Sequence, residues 1–251
     1  MGLLWWRRRR PAPDEPFDPQ RVPDEDLDRV EPDGEQLDEV IDPLLLPGFT
    51  TEQDLVDVVT EWFADDSDDL PAFRRRVEDH VHARWRARLD EQQTWPAGTS
   101  QYELLRDAFT ALHDEHGFAV GSAAGVDQSD GFRIVRDGRT PDPESPDRFR
   151  EWAYVFFHEQ DAEHLTAPGA VLRLAFGAFR PSPDLGPDAV ARAALSERGR
   201  TALAERSRAD AGDTVVSVLV EHGLEAVWTG DASARIRVSI DRWRKPLPGT
   251  D

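Results

Sequence analysis

Apolar residues recur at helical spacing in three segments of the first half of the chain. Thr50-Thr51-Glu52-Gln53 offers a capping box ahead of Leu55, Val58, Val59 and Trp62, which predicts a helix that the run Asp65-Asp66-Ser67-Asp68-Asp69 ends. A second helix opens near Pro71 and carries Phe73, Val77, Val81, Trp85 and Leu89 four apart, one narrow apolar stripe. The third begins at Ser100-x-x-Glu103, a capping box, continues through Leu105, Ala108, Phe109 and Leu112, and stops at Gly117.

Beyond Gly117 the period shortens towards that of strands. Phe118-Ala119-Val120 reads as a short strand, and Phe132 to Val135 as another after the small-residue stretch from Gly121 to Gly131. Trp152 to Phe157 is apolar throughout, as in a strand buried on both faces, whereas Leu172, Leu174 and Phe176 alternate with Val171, Arg173 and Ala175. Asp188 to Arg208 is rich in Ala, Arg and Glu and reads as helix. Asp213 to His222 is β-rich in composition, but its Asp cap and the following Gly223 favour helix there too. Leu224 to Trp228 and Arg235 to Ile240 close the chain as a hairpin around Thr229-Gly230-Asp231. The order of elements predicts an α+β fold, with one mixed or antiparallel sheet of about five strands and helices packed on it. It also divides the chain into a tail over residues 1–48, a helical segment over 49–96 and an α+β domain over 97–251.

The tail is set apart by charge. The 251 residues carry a formal net charge of −20, and residues 11–70 hold 21 acidic side chains against only Arg21 and Arg29. A proline-rich, acidic stretch with no sustained apolar face cannot bury enough surface to offset the entropy of ordering it, so residues 11–47 are expected to be disordered. Such a field repels phosphates, which argues against nucleic acid as a ligand and favours a basic protein as the tail's partner. Ahead of the acid, Trp5 and Trp6 stand beside Arg7, Arg8, Arg9 and Arg10, a pairing suited to weak, salt-sensitive contact with an anionic membrane surface. The apolar run at the start is too short to span a bilayer, and its arginines follow it rather than precede it as they would in a signal peptide. The chain has no cysteine, which excludes disulfides and thiol chemistry and fits a cytoplasmic location. The six arginines of the second helix, from Arg74 to Arg88, read either as a recognition surface or as a solvated face paired with the Asp65–Asp69 run.

Phosphate-loop and nucleophile-elbow signatures are missing and no cofactor is implied. The densest polar cluster of the body is His158-Glu159-Gln160-Asp161-Ala162-Glu163-His164, directly after an apolar strand. One reading makes His158 a general base oriented by Asp161, with Gln160 beside them. A second makes His158, Asp161 and His164 ligands of a divalent metal, although the six-residue spacing of the histidines does not put them on one helical face. A third is structural, with Asp161 capping a short helix and His158 bonding across the loop. The pair His113 and His116 falls in the last turn of the third helix, where a cationic imidazole complements the helix dipole.

The order and spacing of several segments resemble a bacterial, mostly actinobacterial, domain family of unknown function. These are Trp95 and the capped helix after it, Tyr154-Val155-Phe156-Phe157-His158-Glu159-Gln160-Asp161, Ala175-Phe176-Gly177, and Gly223 to Asp231 with Val227-Trp228-Thr229-Gly230-Asp231, leading into Arg235-Ile236. The resemblance covers roughly residues 50–245 and implies an α+β domain whose interest centres on His158, Gln160 and Asp161. Members of that family often carry a cysteine cluster after the first strand, where this chain has Gly121-Ser122-Ala123-Ala124-Gly125. The resemblance brings no reaction with it. The sequence therefore favours a binding or regulatory module, with a hydrolase-like or metal-dependent enzyme centred on His158 and Asp161 as the alternative.

Overall fold

A computed structural model describes residues 31–249, and the chain falls into two units, one running to Trp95 and taking back the last residues from Pro246, the other spanning Pro96–Lys245. The expected membrane-contacting tip at Trp5–Arg10 and the acidic stretch before Glu31 lie outside the described residues.

In the first unit the described part of the acidic segment, from Glu31, is ordered where disorder was expected. Gly34–Leu45 forms helix α1, opened by a complete capping box between Asp33 and Gln36. Leu37, Ile41, Leu44 and Leu45 fall at i, i+4, i+7 and i+8, and all four are buried. Pro43 sits in the last turn and forgoes the N–H bond to the Glu39 carbonyl, so the buried stripe forms the helix against its preference. The density of acid and proline masked this stripe. Helix α2, Glu52–Trp62, is capped by the Thr51 side chain, and a short 3₁₀ turn, Ala64–Asp66, follows it. Helix α3, Leu70–Gln93, starts on Asp69 with Pro71 in its first turn and buries Phe73, Val77, Val81 and Trp85 against α1 and α2.

The basic face of α3 finds partners further upstream than the Asp65–Asp69 run. Arg74 meets Asp57 at 2.6 Å, His80 meets Asp38 at 2.8 Å and His82 meets Glu52 at 2.7 Å. Arg76 pairs with Glu31, and Arg84 with both Asp42 and Asp38. Arg88 is buried, donates to the Leu46 carbonyl and the Glu91 carboxylate, and lies over the Trp95 ring.

The second unit is built on a mixed five-stranded sheet in the order β1-β2-β3-β5-β4. Strands β1, Phe118–Gly121, and β2, Ala153–Phe156, run parallel, and the remaining neighbours are antiparallel. At the centre lies β3, Ala170–Ala178, flanked by β2 and by β5, Ile236–Ile240. The two-residue β4, Ala226–Val227, completes the terminal hairpin. Helix α4, Gln101–Asp114, has the expected capping box at Ser100 and Glu103 and ends before Gly117, whose φ of +68° suits glycine.

Two elements differ from expectation. Phe132 to Val135 is not a strand but part of helix α5, Gln128–Asp137, because the Asp127 carboxylate caps the N–H groups of Ser129 and Asp130 and closes a helical turn. Gly131 lets this helix approach the sheet, since a Cβ there would lie 2.3 Å from the Phe156 ring. The region from Asp188 to His222 divides elsewhere than expected, into α7, Pro187–Ala194, and one long α8, Glu197–Glu221. The β-branched residues Val215 and Val218 with Ala211 and Leu219 form the buried stripe of α8, so burial overrides their strand preference. Gly212 lies against Phe176 and Trp228 on the face of the sheet opposite α5. Helix α6, Glu159–Ala162, is a single turn after β2.

Replacing Ile41 by Ala tests the ordered reading of the acidic segment. Deleting a fully buried isoleucine should destabilise the chain by about 2–5 kcal/mol in a urea titration, and an unchanged midpoint would mean that α1 is not packed.

Candidate functional site

Parallel strands β1 and β2 end side by side, and the polar cluster is assembled at their C-terminal edge, where loops leave the sheet. The backbone ties these loops together. Phe157 donates to the Gly121 carbonyl at 3.2 Å, Ala124 to the Phe157 carbonyl at 2.9 Å, and Glu159 to the Gly125 carbonyl at 3.0 Å. Gly125 takes a φ of +67°, and any Cβ there would lie 2.7 Å from the Asp130 side chain. The Gly121–Gly125 stretch thus brings the start of α5 against the start of α6.

His158 is the residue before α6 and is only 7 % exposed. Its side chain does not cap that helix, and neither does Asp161, which lies inside it. The expected cap is therefore corrected. The Asp161 carboxylate turns instead to Arg235, the residue just before β5, whose Nη1 donates to Oδ1 at 3.0 Å and Oδ2 at 2.9 Å. Nη2 of the same guanidinium donates to the Gln128 side-chain oxygen at 3.1 Å and to His158 Nε2 at 3.0 Å.

A guanidinium only donates, so His158 Nε2 must accept and the imidazole is neutral with its proton assigned to Nδ1. In that state the 3.2 Å approach of Nε2 to Asp161 Oδ2 faces one lone pair with another, and Arg235 is what holds the two groups together. Nδ1 is buried and has no hydrogen-bond partner among the described residues. Burial holds the imidazole below its ordinary protonation range; Asp161 opposes that, Arg235 reinforces it, and Asp127 opposes it. Asp127 is itself kept acidic, chiefly by the backbone N–H groups of Asp130 and Ser129 that it caps.

Of the residues singled out in the sequence, His158 and Asp161 are brought together. Gln160 is half-buried beside them and makes no side-chain hydrogen bond among the described residues, and His164 is exposed on the turn after α6. Among the described residues no three His, Asp or Glu side chains are arranged to hold a metal ion. His113 points its Nδ1 at the Phe118 carbonyl, 3.0 Å away, and so serves the end of α4. Arg235 and Gln128 were not legible as site residues, because 74 positions separate Arg235 from Asp161 and no local pattern marks either as a partner. The two segments that carry the resemblance, Tyr154 to Asp161 and Val227 to Arg235, meet at this contact.

Residues 31–247 match the family model of a domain of unknown function, DUF6891. The chain belongs to that family. No curated protein and no solved structure gave a match. The matched span of the DUF6891 domain opens at Glu31, three residues ahead of α1, so the acidic helix belongs to the family's shared length along with the sheet and the Asp161–Arg235 contact. Among the described residues of the domain no helix is long and apolar enough to cross a membrane.

Removing Arg235 strands a carboxylate that is 10 % exposed beside a neutral imidazole. Arg235→Ala should cost about 2–3 kcal/mol, reduced from the fully buried case because the guanidinium is partly solvated. Asp161→Asn in that background should cost much less than it does alone; additive losses in the double-mutant cycle would deny the coupling.

The same site sets a pH dependence. An unfolded imidazole takes up its proton near about pH 6.5, whereas folded His158 does so only at lower pH. Below about pH 6.5 the unfolded state therefore binds the proton more tightly, and stability falls as pH drops until the folded-state value is passed. His158→Gln should show a shallower fall in urea midpoint over that range than the parent chain, and parallel curves would reject the assignment.

Proposed function

We propose that this DUF6891 domain is a binding module that receives a basic protein partner on its acidic N-terminal region, and that it works in the cytoplasm. The observation that carries this reading is the state of the acids between Glu31 and Leu70. That stretch holds 14 carboxylates and no lysine or arginine. Arginines and histidines of α3 take up Glu31, Asp38, Asp42, Glu52 and Asp57, while Glu35, Glu39 and Glu61 are exposed with no ion partner among the described residues. Exposed, uncompensated carboxylates on capped helices form a rigid negative surface that raises the local concentration of a cationic partner and speeds its approach.

The enzyme alternative has less support in the geometry. A general base needs a free lone pair, and Nε2 of His158 is occupied by Arg235 while both Asp161 oxygens bind the same guanidinium. The absence of cysteine suits a reducing compartment.

Fluorescence anisotropy with a labelled arginine-rich peptide tests the proposal. The full chain should bind with an affinity that falls as salt rises, and Glu35→Gln, Glu39→Gln and Glu61→Gln together should weaken it about tenfold, at roughly half a kcal/mol per lost charge. His158→Ala should leave it unchanged. Equal binding by the triple variant and the parent chain, or no binding at low salt, would sink the reading.

A further inference from the structure

Helices α7 and α8 meet at a corner that the chain holds firmly and yet leaves uncovered. Helix α7 spans 8 residues and buries none of them, and the first buried residue of α8 is Ser207, ten positions past its start at Glu197. A helix as short as α7 is marginal by itself and owes its stability to burial against other elements. The corner is nevertheless well fixed. Ser196 caps α8 by accepting from the Gly199 N–H at 3.0 Å, and Arg200 Nη1 donates to the Ala194 carbonyl at 2.9 Å. The two backbones approach so closely that a Cβ on Gly199 would lie 2.3 Å from the Ala193 carbonyl oxygen. At the apex Leu195 is 85 % exposed, more than any other large hydrophobic residue described, with Ala191, Ala194 and Ala202 exposed around it. Small side chains of this kind let another helix come close, and a fixed apex removes part of the entropy that docking would otherwise cost.

The charges on the corner identify the occupant. Asp188, Glu197 and Glu205 are exposed without an ion partner among the described residues, and so are Arg192 and Arg198. A partner of one sign would leave half of them unmatched. A surface carrying both signs about an apolar centre is complementary to a two-fold copy of itself, in which residue i meets j and j meets i. Across residues 187–208 there are five arginines and three acids, so this face is nearly balanced and adds little repulsion of its own between two copies. We propose that α7 and the first turns of α8 are the contact through which two copies of this chain pair, α7–α8 against α7–α8, with Leu195 at its centre.

Light scattering coupled to size-exclusion chromatography of the full chain tests this. The mass should rise with concentration to twice 28.3 kDa. Leu195→Glu should raise the dimer dissociation constant about a hundredfold, because two-fold symmetry removes two leucines and introduces two carboxylates, while circular dichroism stays that of the parent chain. A charge exchange gives a second measurement that does not depend on Leu195. A chain carrying Arg192→Glu with Arg198→Glu and a chain carrying Glu197→Arg with Glu205→Arg should each pair poorly alone and pair well when mixed. A mass of 28.3 kDa at every concentration would overturn the proposal and leave the face to a different protein. A dimer indifferent to Leu195→Glu, or charge variants that fail to pair on mixing, would overturn it equally.

Discussion

A chain with a formal charge of −20 must place most of its carboxylates against guanidinium groups or in water, and that constraint shapes both units. In the first, α3 supplies the positive side. Its arginines and histidines stand on the faces left free by the Phe73–Val77–Val81–Trp85 stripe, and they draw Glu31, Asp38, Asp42, Glu52 and Asp57 onto them. Each such surface pair contributes little by itself. Their number is what allows an acidic helix to lie on its neighbours, while Leu37, Ile41, Leu44 and Leu45 provide the burial that stabilises it.

In the second unit such pairs recur, among them Arg139 and Arg180 with Asp147, and the least exposed carboxylate of these pairs is that of Asp161, on Arg235. Asp161 and His158 arrive together because β2 ends and α6 begins within a few residues, and neither group would rest easily there without Arg235. A buried carboxylate must be paired, and the guanidinium that pairs it also fixes the imidazole tautomer. The contact fastens the start of β5, and so the terminal hairpin, to the loop edge of the parallel strands. In a cluster with the composition of a catalytic site, Nε2 of His158 and both Asp161 oxygens are turned towards one guanidinium. Exposed charge without an ion partner among the described residues lies on α1, α2 and the α7–α8 corner, and also on α3, where Arg75 and Arg86 face solvent.

Local sequence by itself determined most of the elements. The capping box at Ser100 and Glu103, the four-residue stripe of α3, the alternation of β3 and the turn at Thr229-Gly230-Asp231 each satisfy their backbone or bury their apolar side within a short window, so their form follows from neighbouring residues. The choice of α+β with a mixed sheet follows from their order, and the density of polar groups after β2 was enough to single out His158 and Asp161. What only the tertiary structure decided are the outcomes that depend on distant partners. Helix α1 forms because α2 and α3 offer its four apolar residues a core, against the preference of its proline and acids. Phe132 to Val135 is helical because Asp127 caps the turn before it and Phe156 receives Gly131. The role of Asp161 rests on an arginine 74 residues away. Propensity and periodicity act over a few residues, whereas burial and charge pairing are settled only when the chain closes on itself.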